Sequence, residues 1–478
     1  MKLPDWRAGP LLAAALLAGC ASPAGIQSQA QRRSPASVGL AADTAAPAPA
    51  VAPGWWRAFG DPQLDRLVEQ ALADSPTLKI AQARTARAQA VLEVAGAATR
   101  PQLQGSATVQ RQRYTETGAV PPPLAGSVRD SGTLQLGASW EIDFFGRYRE
   151  ALAAALGSSR AAEVEVEAAR VLLASQVARS YFQLARIDAQ LQVAQRTLAQ
   201  REQALGLVRE RFDAGLDTTL ELRQSEGALP DARQQIEALQ EQAQLTRHAL
   251  AALVAQPDAA VQPPALASMR ALAIPAAIPA DLLARRADIM AARWRIEAAT
   301  HDVASARAQF YPNVNLGAFV GLSSIGLSNL LEGGSLQWGV GPALQLPIFD
   351  AGRLRANLRG KAADLDLAIE SYNGAILDAV REVADQLASA RSIGRQQMQQ
   401  REAQGAAEAA YGIAVQRYQA GLGTYLQVLS AETAVLDQRR LAVDLAARAL
   451  DNQVQLMRSL GGGFQPEAGP PRLAAKAP

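Results

Sequence analysis

The chain has 478 residues, with 47 basic and 45 acidic side chains and 5% aromatic residues. This balanced charge argues against a nucleic-acid partner. Two histidines, one cysteine and no Gly-x-x-x-x-Gly-Lys-Ser/Thr motif leave little material for a metal site, a nucleophile triad or a phosphate loop, so we predict no enzyme, metal or cofactor.

The first predicted element is a lipoprotein signal peptide over residues 1–19. Lys2 and Arg7 precede an apolar run that is too short to span a bilayer, and small residues lead up to Cys20. This pattern resembles the bacterial lipoprotein box, which implies acylation of Cys20. A plain signal peptide with a chance cysteine is the alternative. The Ala/Pro/Ser/Gln-rich residues 20–53 predict a lipidated flexible tether.

A helical pattern opens the folded part of the chain. It begins near Asp61, with Pro62 in its first turn, and continues to about Ala98. Three aromatic residues precede it, and we interpret them as a hydrophobic plug at a helix end rather than as a ligand platform. They are Trp55, Trp56 and Phe59.

The period of the apolar residues then changes from 3.6 to 2. Over about residues 100–145, two alternating runs of about ten residues predict a β-hairpin of membrane-crossing length. A small soluble β-domain is the alternative. Residues 147–255 predict a helical hairpin, whose first arm would be about 100 Å long. Pro230 lies in its second arm and is expected to bend it. These elements complete a first repeat, residues 54–256.

The same series of elements recurs in the second half of the chain. A linker over residues 257–278 leads to a second repeat over 279–461. In it, alternation predicts a β-hairpin at about 312–346, and a helical hairpin follows at about 353–460. Residues 462–478 predict a flexible tail. The expected fold class is mainly α with membrane β, built from repeated helical hairpins and two β-hairpins.

Two matching turns join the arms of the helical hairpins. Gly215-Leu216 and Gly421-Leu422 stand 206 residues apart, each after a long helical pattern and before a Thr-x-x-Glu/Gln sequence. A glycine past a helix end followed by a capping box predicts a tight turn between antiparallel helices.

Four strands cannot close a barrel in lipid, where an open sheet edge is not tolerated. Two, three or four copies would supply 8, 12 or 16 strands. An interior of about eight strands is filled by side chains, so a conduit needs at least three copies. The sequence therefore predicts an oligomer.

Several long motifs resemble the TolC-type outer-membrane efflux factors, in the lipoprotein branch that includes NodT-like proteins. They are WWRAFGDPQLDRLVEQAL, WEIDFFGR, LPIFDAGR and RYQAGLGTYLQVLSAE. The resemblance implies a homotrimer in which a 12-stranded β-barrel in the outer membrane continues into a periplasmic α-helical barrel. It also implies a periplasmic adaptor, an inner-membrane pump of the resistance-nodulation-division type and contact with outer-membrane lipid. Ala21, rather than Asp, after the cysteine favours the outer membrane.

The two turns are also the predicted site. Gly215, Leu216, Gly421 and Leu422 would form the adaptor-docking tip of a helical tunnel and the iris that opens it.

Entrance lining is predicted for Asp217, Glu221, Gln427 and Ser430. Relatives often place Asp where this chain has Gln427 and Ser430, so the second tip departs from the acidic pattern. Glu221 could substitute, but its capping-box role is preferred.

We therefore predict the passive outer-membrane channel of a tripartite efflux pump for drugs or other small toxic compounds. The alternatives are a periplasmic coiled-coil lipoprotein without a pore and an export duct for metal ions or polypeptides.

Overall fold

The computed structural model describes residues 22–38, 51–257, 261–262, 265–270 and 282–465. Cys20 and most of the predicted linker and tail lie outside them. The chain forms two compact units, and each takes residues from both repeats. The sheet unit contains Arg84–Ala162, Ala291–Asn373 and the described part of Met1–Arg32. The helical unit contains Arg33–Ala83, Glu163–Met290 and Gly374–Pro478, again over their described parts.

The sheet unit contains four antiparallel strands in the order β1-β2-β3-β4. They are β1 Gln102–Arg113, β2 Val128–Ile142, β3 Asn313–Ile325 and β4 Leu336–Gln345. The two predicted β-hairpins thus join through β2 and β3, where Leu136 pairs with Val320. The alternation explains this pairing, because a shift by one residue would turn the apolar side chains to the other face.

Two short helices, α1 Pro62–Asp74 and α2 Pro76–Ala97, replace the single helix expected up to about Ala98. Asp61 caps α1 by accepting from the N–H groups of Gln63 and Leu64. The break comes at Ser75, whose extended backbone suits the residue before a proline.

The aromatic cluster ahead of α1 is a plug. Phe59 is fully buried, and its ring centroid lies 4.9 Å from that of Phe182.

Each repeat contributes one long helical hairpin. The first consists of α3 Arg147–Asp213 and α4 Thr219–Leu253, and the second of α6 Arg353–Gln419 and α7 Tyr425–Ser459. In both, the first arm has 67 residues and the second has 35. Helix α4 continues through Pro230.

Helix α5, Ala287–Ala308, precedes β3 as α2 precedes β1. Short 3-10 turns occupy Pro35–Val38, Trp55–Phe59, Leu266–Ser268, Leu282–Ala284, Leu327–Asn329 and Gly333–Ser335.

A segment near the N-terminus, residues 22–31, packs along α5 and α6 within the sheet unit. Asp366 Oδ1 accepts from Ser28 Oγ at 2.5 Å, from Gln29 N at 2.8 Å and from Ala30 N at 2.9 Å. Ile26 is buried in a cluster with Phe310, which follows α5, and with apolar side chains of α5 and α6. The sequence predicts a flexible tether here, but an acidic side chain of α6 holds this part of it in place.

Candidate functional site: the two-faced sheet and the helix-hairpin tips

The sheet has one apolar face and one polar face. Strand pairing places residues of the same character side by side across all four strands. The apolar row includes Leu103, Val109, Leu134, Leu136, Trp140, Leu316, Val320, Leu322, Leu336, Trp338, Val340 and Leu344. The polar row includes Gln104, Ser106, Thr108, Gln110, Thr133, Gln135, Ser139, Asn315, Gln337 and Gln345. One face therefore suits lipid and the other water.

The outer edges of β1 and β4 have no strand partner within the described residues. Several apolar side chains near these edges are exposed, among them Leu103 and Leu344. A sheet with two open edges cannot sit in a bilayer alone, because unpaired backbone groups in hydrocarbon cost several kcal/mol each.

In the helical unit, the two hairpin turns have the same backbone geometry. Gly215 and Gly421 have φ of 73° and 74°, the left-handed conformation that glycine adopts without a steric cost. The N–H of Leu216 donates to the carbonyl of Arg211, and that of Leu422 to the carbonyl of Arg417, each at 2.8 Å. These bonds satisfy carbonyl groups at the C-terminal ends of α3 and α6.

Capping boxes start both return helices, as the sequence predicts. At the first tip, the N–H of Thr218 donates to Glu221 Oε2 at 2.9 Å. The hydrogen bond from the Thr218 hydroxyl and the backbone donors lower the pKa of Glu221. At the second tip, the N–H of Thr424 donates to Gln427 Oε1 at 3.3 Å.

Leucine side chains project from both turns. Leu216 and Leu422 are 66% and 70% exposed, and Leu220 and Leu426, one helical turn further on, are 61% and 60% exposed. Two equivalent pairs of exposed leucines at the ends of polar helices are typical of a surface that another protein covers. The repeated turns predict the first pair as tip residues, whereas the second pair is found only in the structure.

A buried polar contact joins the first tip to the second. Arg211 Nε and Nη2 donate to Asp217 Oδ2 and Oδ1 at 3.1 and 3.3 Å. The Tyr418 hydroxyl donates to the same Asp217 carboxylate, and the Arg211 guanidinium lies 4.6 Å from the centre of the Tyr418 ring. The Arg211 and Asp217 side chains are only 15% and 7% exposed. We call these three residues the tip link.

Burial and charge shape the titration of the tip link. Burial, and then the hydrogen bond to Asp217, raise the pKa of Tyr418 well above its usual value. The hydrogen bond to Asp217 raises the pKa of Arg211 as well. Around neutral pH the Tyr418 phenol is therefore neutral and the Arg211 guanidinium is charged.

Three ion pairs lie further along the helices from the tip link, and we call each of these pairs a rung. In each rung an arginine of α3 meets an acid of α7, at N–O distances of 2.6 to 3.2 Å. The rungs are Arg179–Asp451, Arg186–Asp444 and Arg201–Glu432. The third is the most buried, and Arg201 also donates to the carbonyl of Ala228 at 2.9 Å. Desolvation nevertheless raises the pKa of Glu432.

The predicted entrance residues have different surroundings. Asp217 is buried in the tip link, Glu221 and Gln427 belong to the capping boxes, and Ser430 is exposed. Their role as entrance lining stays a prediction. The contribution of Tyr418 was missed, although the tips differ at this position: the first repeat has Phe212 where the second has Tyr418.

Within the described residues, no group of three or more His, Cys, Asp or Glu side chains is arranged to hold a metal ion. None of the helices in the same residues combines the length and apolar character needed to cross a membrane.

Comparison with known proteins gives consistent matches along the chain. The family model described as "Outer membrane efflux protein" matches residues 67–256 and 278–462. The multidrug resistance outer membrane protein MdtP of Escherichia coli (strain K12) is 34% identical over 427 residues, which cover 87% of each chain.

Solved structures agree with this match. The outer membrane protein VceC of Vibrio cholerae aligns with a TM-score of 0.80 and 36% identity, covering 88% of this chain and 100% of VceC. The open state of the MtrE outer membrane channel of Neisseria gonorrhoeae aligns with a TM-score of 0.78 and 26% identity, covering 92% of this chain and 98% of MtrE. The predicted fold class, long helical hairpins with membrane β-hairpins, is confirmed.

Proposed function

The chain belongs to the outer membrane efflux protein family, and from that premise we propose that three copies of it form the exit duct of a tripartite efflux pump. The observation that carries this proposal is the combination of a two-faced sheet with open edges and paired leucine-bearing tips. Transport through the duct is passive, without catalysis, and an inner-membrane pump supplies the energy. The substrates are drugs or other small toxic compounds, as the name of MdtP suggests for that relative.

The sheet supports an assembly of at least three copies. Pairing β4 of one chain with β1 of the next satisfies both open edges, and three chains give a closed barrel of 12 strands. A barrel of about eight strands would be filled by its own side chains, so two chains would leave no conduit. The polar face then lines water, and the apolar face contacts outer-membrane lipid.

The exposed leucines are the proposed docking surface for a periplasmic adaptor. Burying one leucine on a partner contributes about 1.5–3 kcal/mol, and a trimer presents the leucines of six tips. An inner-membrane pump of the resistance-nodulation-division type would deliver substrate through that adaptor.

The tip link is the proposed closing contact of the duct. It joins the first and second hairpins of one chain at their ends, so the tips cannot separate while Asp217 holds both Arg211 and Tyr418. Opening would break these bonds, at a cost of about 1.5–3 kcal/mol for each charged hydrogen bond.

Replacing a tip leucine by arginine tests the docking surface. Leu422→Arg should abolish drug resistance in a strain that depends on this duct, while trimers form normally, because a charge is placed in an apolar contact. Leu441→Arg is the matched control, since Leu441 is an exposed leucine in α7, about 24 Å along that helix from its start after the turn. Normal resistance in the Leu422→Arg strain would contradict tip docking.

Conductance tests the duct itself. Purified protein should give heat-resistant trimers and single-channel currents in planar bilayers. A soluble, non-conducting species would instead indicate a structural lipoprotein.

We also propose a lipid anchor at Cys20. Arg355, close to the start of α6, donates to the carbonyl of Ser22 at 2.5 Å, so the chain is already fixed two residues after the cysteine. An acyl label on the parent protein should be lost in Cys20→Ala. A retained label would refute the anchor.

A further inference from the structure

One aromatic ring stands on the polar face of the sheet. The strands contain three aromatic side chains within the described residues, and the pairing places Trp140 and Trp338 in the apolar row. Phe319 lies in the other row, between Gly137 on β2 and Gly339 on β4. It is the seventh residue of the 13 in β3, so it lies halfway along that strand. In the middle of the sheet, the neighbouring positions of this row carry polar residues or glycine, so an apolar ring there interrupts the row.

The position of the ring depends on the glycine beside it. A Cβ on Gly339 would lie 2.7 Å from Cε1 and 3.0 Å from Cζ of Phe319, distances too short for real contacts. The ring therefore leans across the bare backbone of β4.

Glycines also surround the ring on the same face. Gly317 and Gly321 flank Phe319 along β3, and Gly341 lies diagonally on β4. Side chains that could cover the ring are absent at these positions, and Phe319 remains 39% exposed.

The nearest side chains on this face carry no charge. Gln135 and Gln337 pair with Gly321, and Ser139 pairs with Gly317. A flat solute beside Phe319 thus meets an aromatic ring, a strip of peptide backbone and neutral amides. Aromatic pairs prefer stacked or edge-to-face contact, and such contact adds to the attraction from area burial. These surroundings therefore favour solutes that are flat and aromatic and do not select for their charge.

We propose that Phe319 is a binding site for planar aromatic compounds on the inner wall of the duct. The inference rests on the proposed function, since only in a duct does the polar face line the path of the substrate. Three chains bring three such rings to the same level. The contact is weak enough for release, because an aromatic pair changes affinity by only about two- to ten-fold.

Current block in planar bilayers tests the site. Ethidium is a planar aromatic cation, and tetrapropylammonium carries the same charge without a ring. In Phe319→Leu, which keeps an apolar side chain but no ring, ethidium should dissociate about three- to ten-fold faster. Tetrapropylammonium block should be unchanged. Phe319→Tyr retains the ring and should retain the ethidium block.

Gly339→Ala gives an independent test in which Phe319 itself is not substituted. Its methyl group would push the ring off β4, so ethidium block should weaken while the unblocked conductance stays close to that of the parent protein. If Phe319→Leu does not assemble, the comparison of Gly339→Ala with Phe319→Tyr decides the question.

Two results would overturn the site. Equal ethidium dissociation in the parent and the ring-less or ring-shifted variants would mean that Phe319 only shields glycine backbone. An equal loss of tetrapropylammonium block would mean that the variants changed the pore as a whole. Absence of any current from the parent protein is a different failure, which would remove the duct and the site with it.

Discussion

The two helix-hairpin tips have the same backbone but different side chains. Asp217 of the first tip corresponds to Gly423 of the second, and Tyr418 of the second corresponds to Phe212 of the first. The tip link therefore forms once in each chain. The equivalent contact, in which Arg417 would face a neighbour's Phe212, has neither the carboxylate nor the hydroxyl.

The same difference extends along the helices. The contact between α3 and α7, which we call the paired seam, contains the three Arg–acid rungs described above. The equivalent seam, between α6 and α4, has side chains at the same repeat positions that cannot form such pairs. These are Asp385 with Leu245, Ser392 with Ala238, and Ala407 with Glu226.

The duplicated helices thus have the same geometry, but Arg–acid pairs at these positions stabilise only the paired seam. In the proposed trimer the paired seam lies inside each protomer, and the equivalent seam falls between neighbours. We expect the mouth to widen first between protomers, and further opening to separate the two tips of each protomer by breaking the tip link.

The largest effect should come from the most buried rung of the paired seam. Glu432→Ala leaves the Arg201 guanidinium buried without an anion, which should destabilise the protein by about 3 kcal/mol. The measurement is the temperature at which trimers dissociate. Glu226→Ala at the equivalent position is the control, since Glu226 pairs with the exposed Arg223 and should cost at most about 1 kcal/mol. Equal losses would contradict the difference between the seams.

Breaking the tip link should have the next largest effect. Asp217→Asn keeps a hydrogen-bond acceptor for Tyr418 but removes the negative charge next to Arg211. A loss of about 1.4 kcal/mol corresponds to a roughly ten-fold rise in the ratio of open to closed channels. Single-channel recording measures that ratio. Asp213 is an exposed acid of the same tip, so Asp213→Asn should leave the ratio of open to closed channels unchanged. An unchanged ratio in Asp217→Asn would show that the link does not hold the mouth closed.

These residues also show how far the sequence can predict the structure. The glycine turns, the capping boxes and the two-faced strands are set by residues close together in the chain, so local patterns predict them. The contact of Asp217 with Tyr418 joins residues 201 positions apart, and it depends on how two hairpins pack. Asp217 was accordingly predicted as entrance lining. The available signal was the divergence between the repeats, because Asp217 and Tyr418 both lie where the two tips differ.

Removing only the Tyr418 hydroxyl should have a smaller effect, about 1 kcal/mol. Because the folded pKa of Tyr418 is raised above the ordinary value of about 10, its contribution is complete below that pH and is lost as the pH rises through the folded value. The parent channel should therefore open more readily at strongly alkaline pH, and Tyr418→Phe should lack the part of this response that depends on the tip link. Identical alkaline responses of the two channels would show that Tyr418 does not contribute to it.

The smallest effect is expected from building a second link at the equivalent seam. Phe212→Tyr with Gly423→Asp would give Arg417 an acid and a phenol, matching the residues of the paired seam. A Cβ at Gly423 would meet Gln427 Oε1 at 3.0 Å and Arg417 Cβ at 3.3 Å, so side chains must adjust slightly and the gain should stay below about 1 kcal/mol.

The double variant should lower the ratio of open to closed channels by up to about five-fold, and Gly423→Ala separates the steric cost from the new bonds. Because the introduced pair lies between chains in the trimer, its effect should vanish in mixed trimers where each half of the pair faces an unmodified neighbour. An equally closed channel in Gly423→Ala would assign the change to crowding at the turn. A double variant that opens like the parent would show that the geometry of the two seams differs as well as their side chains.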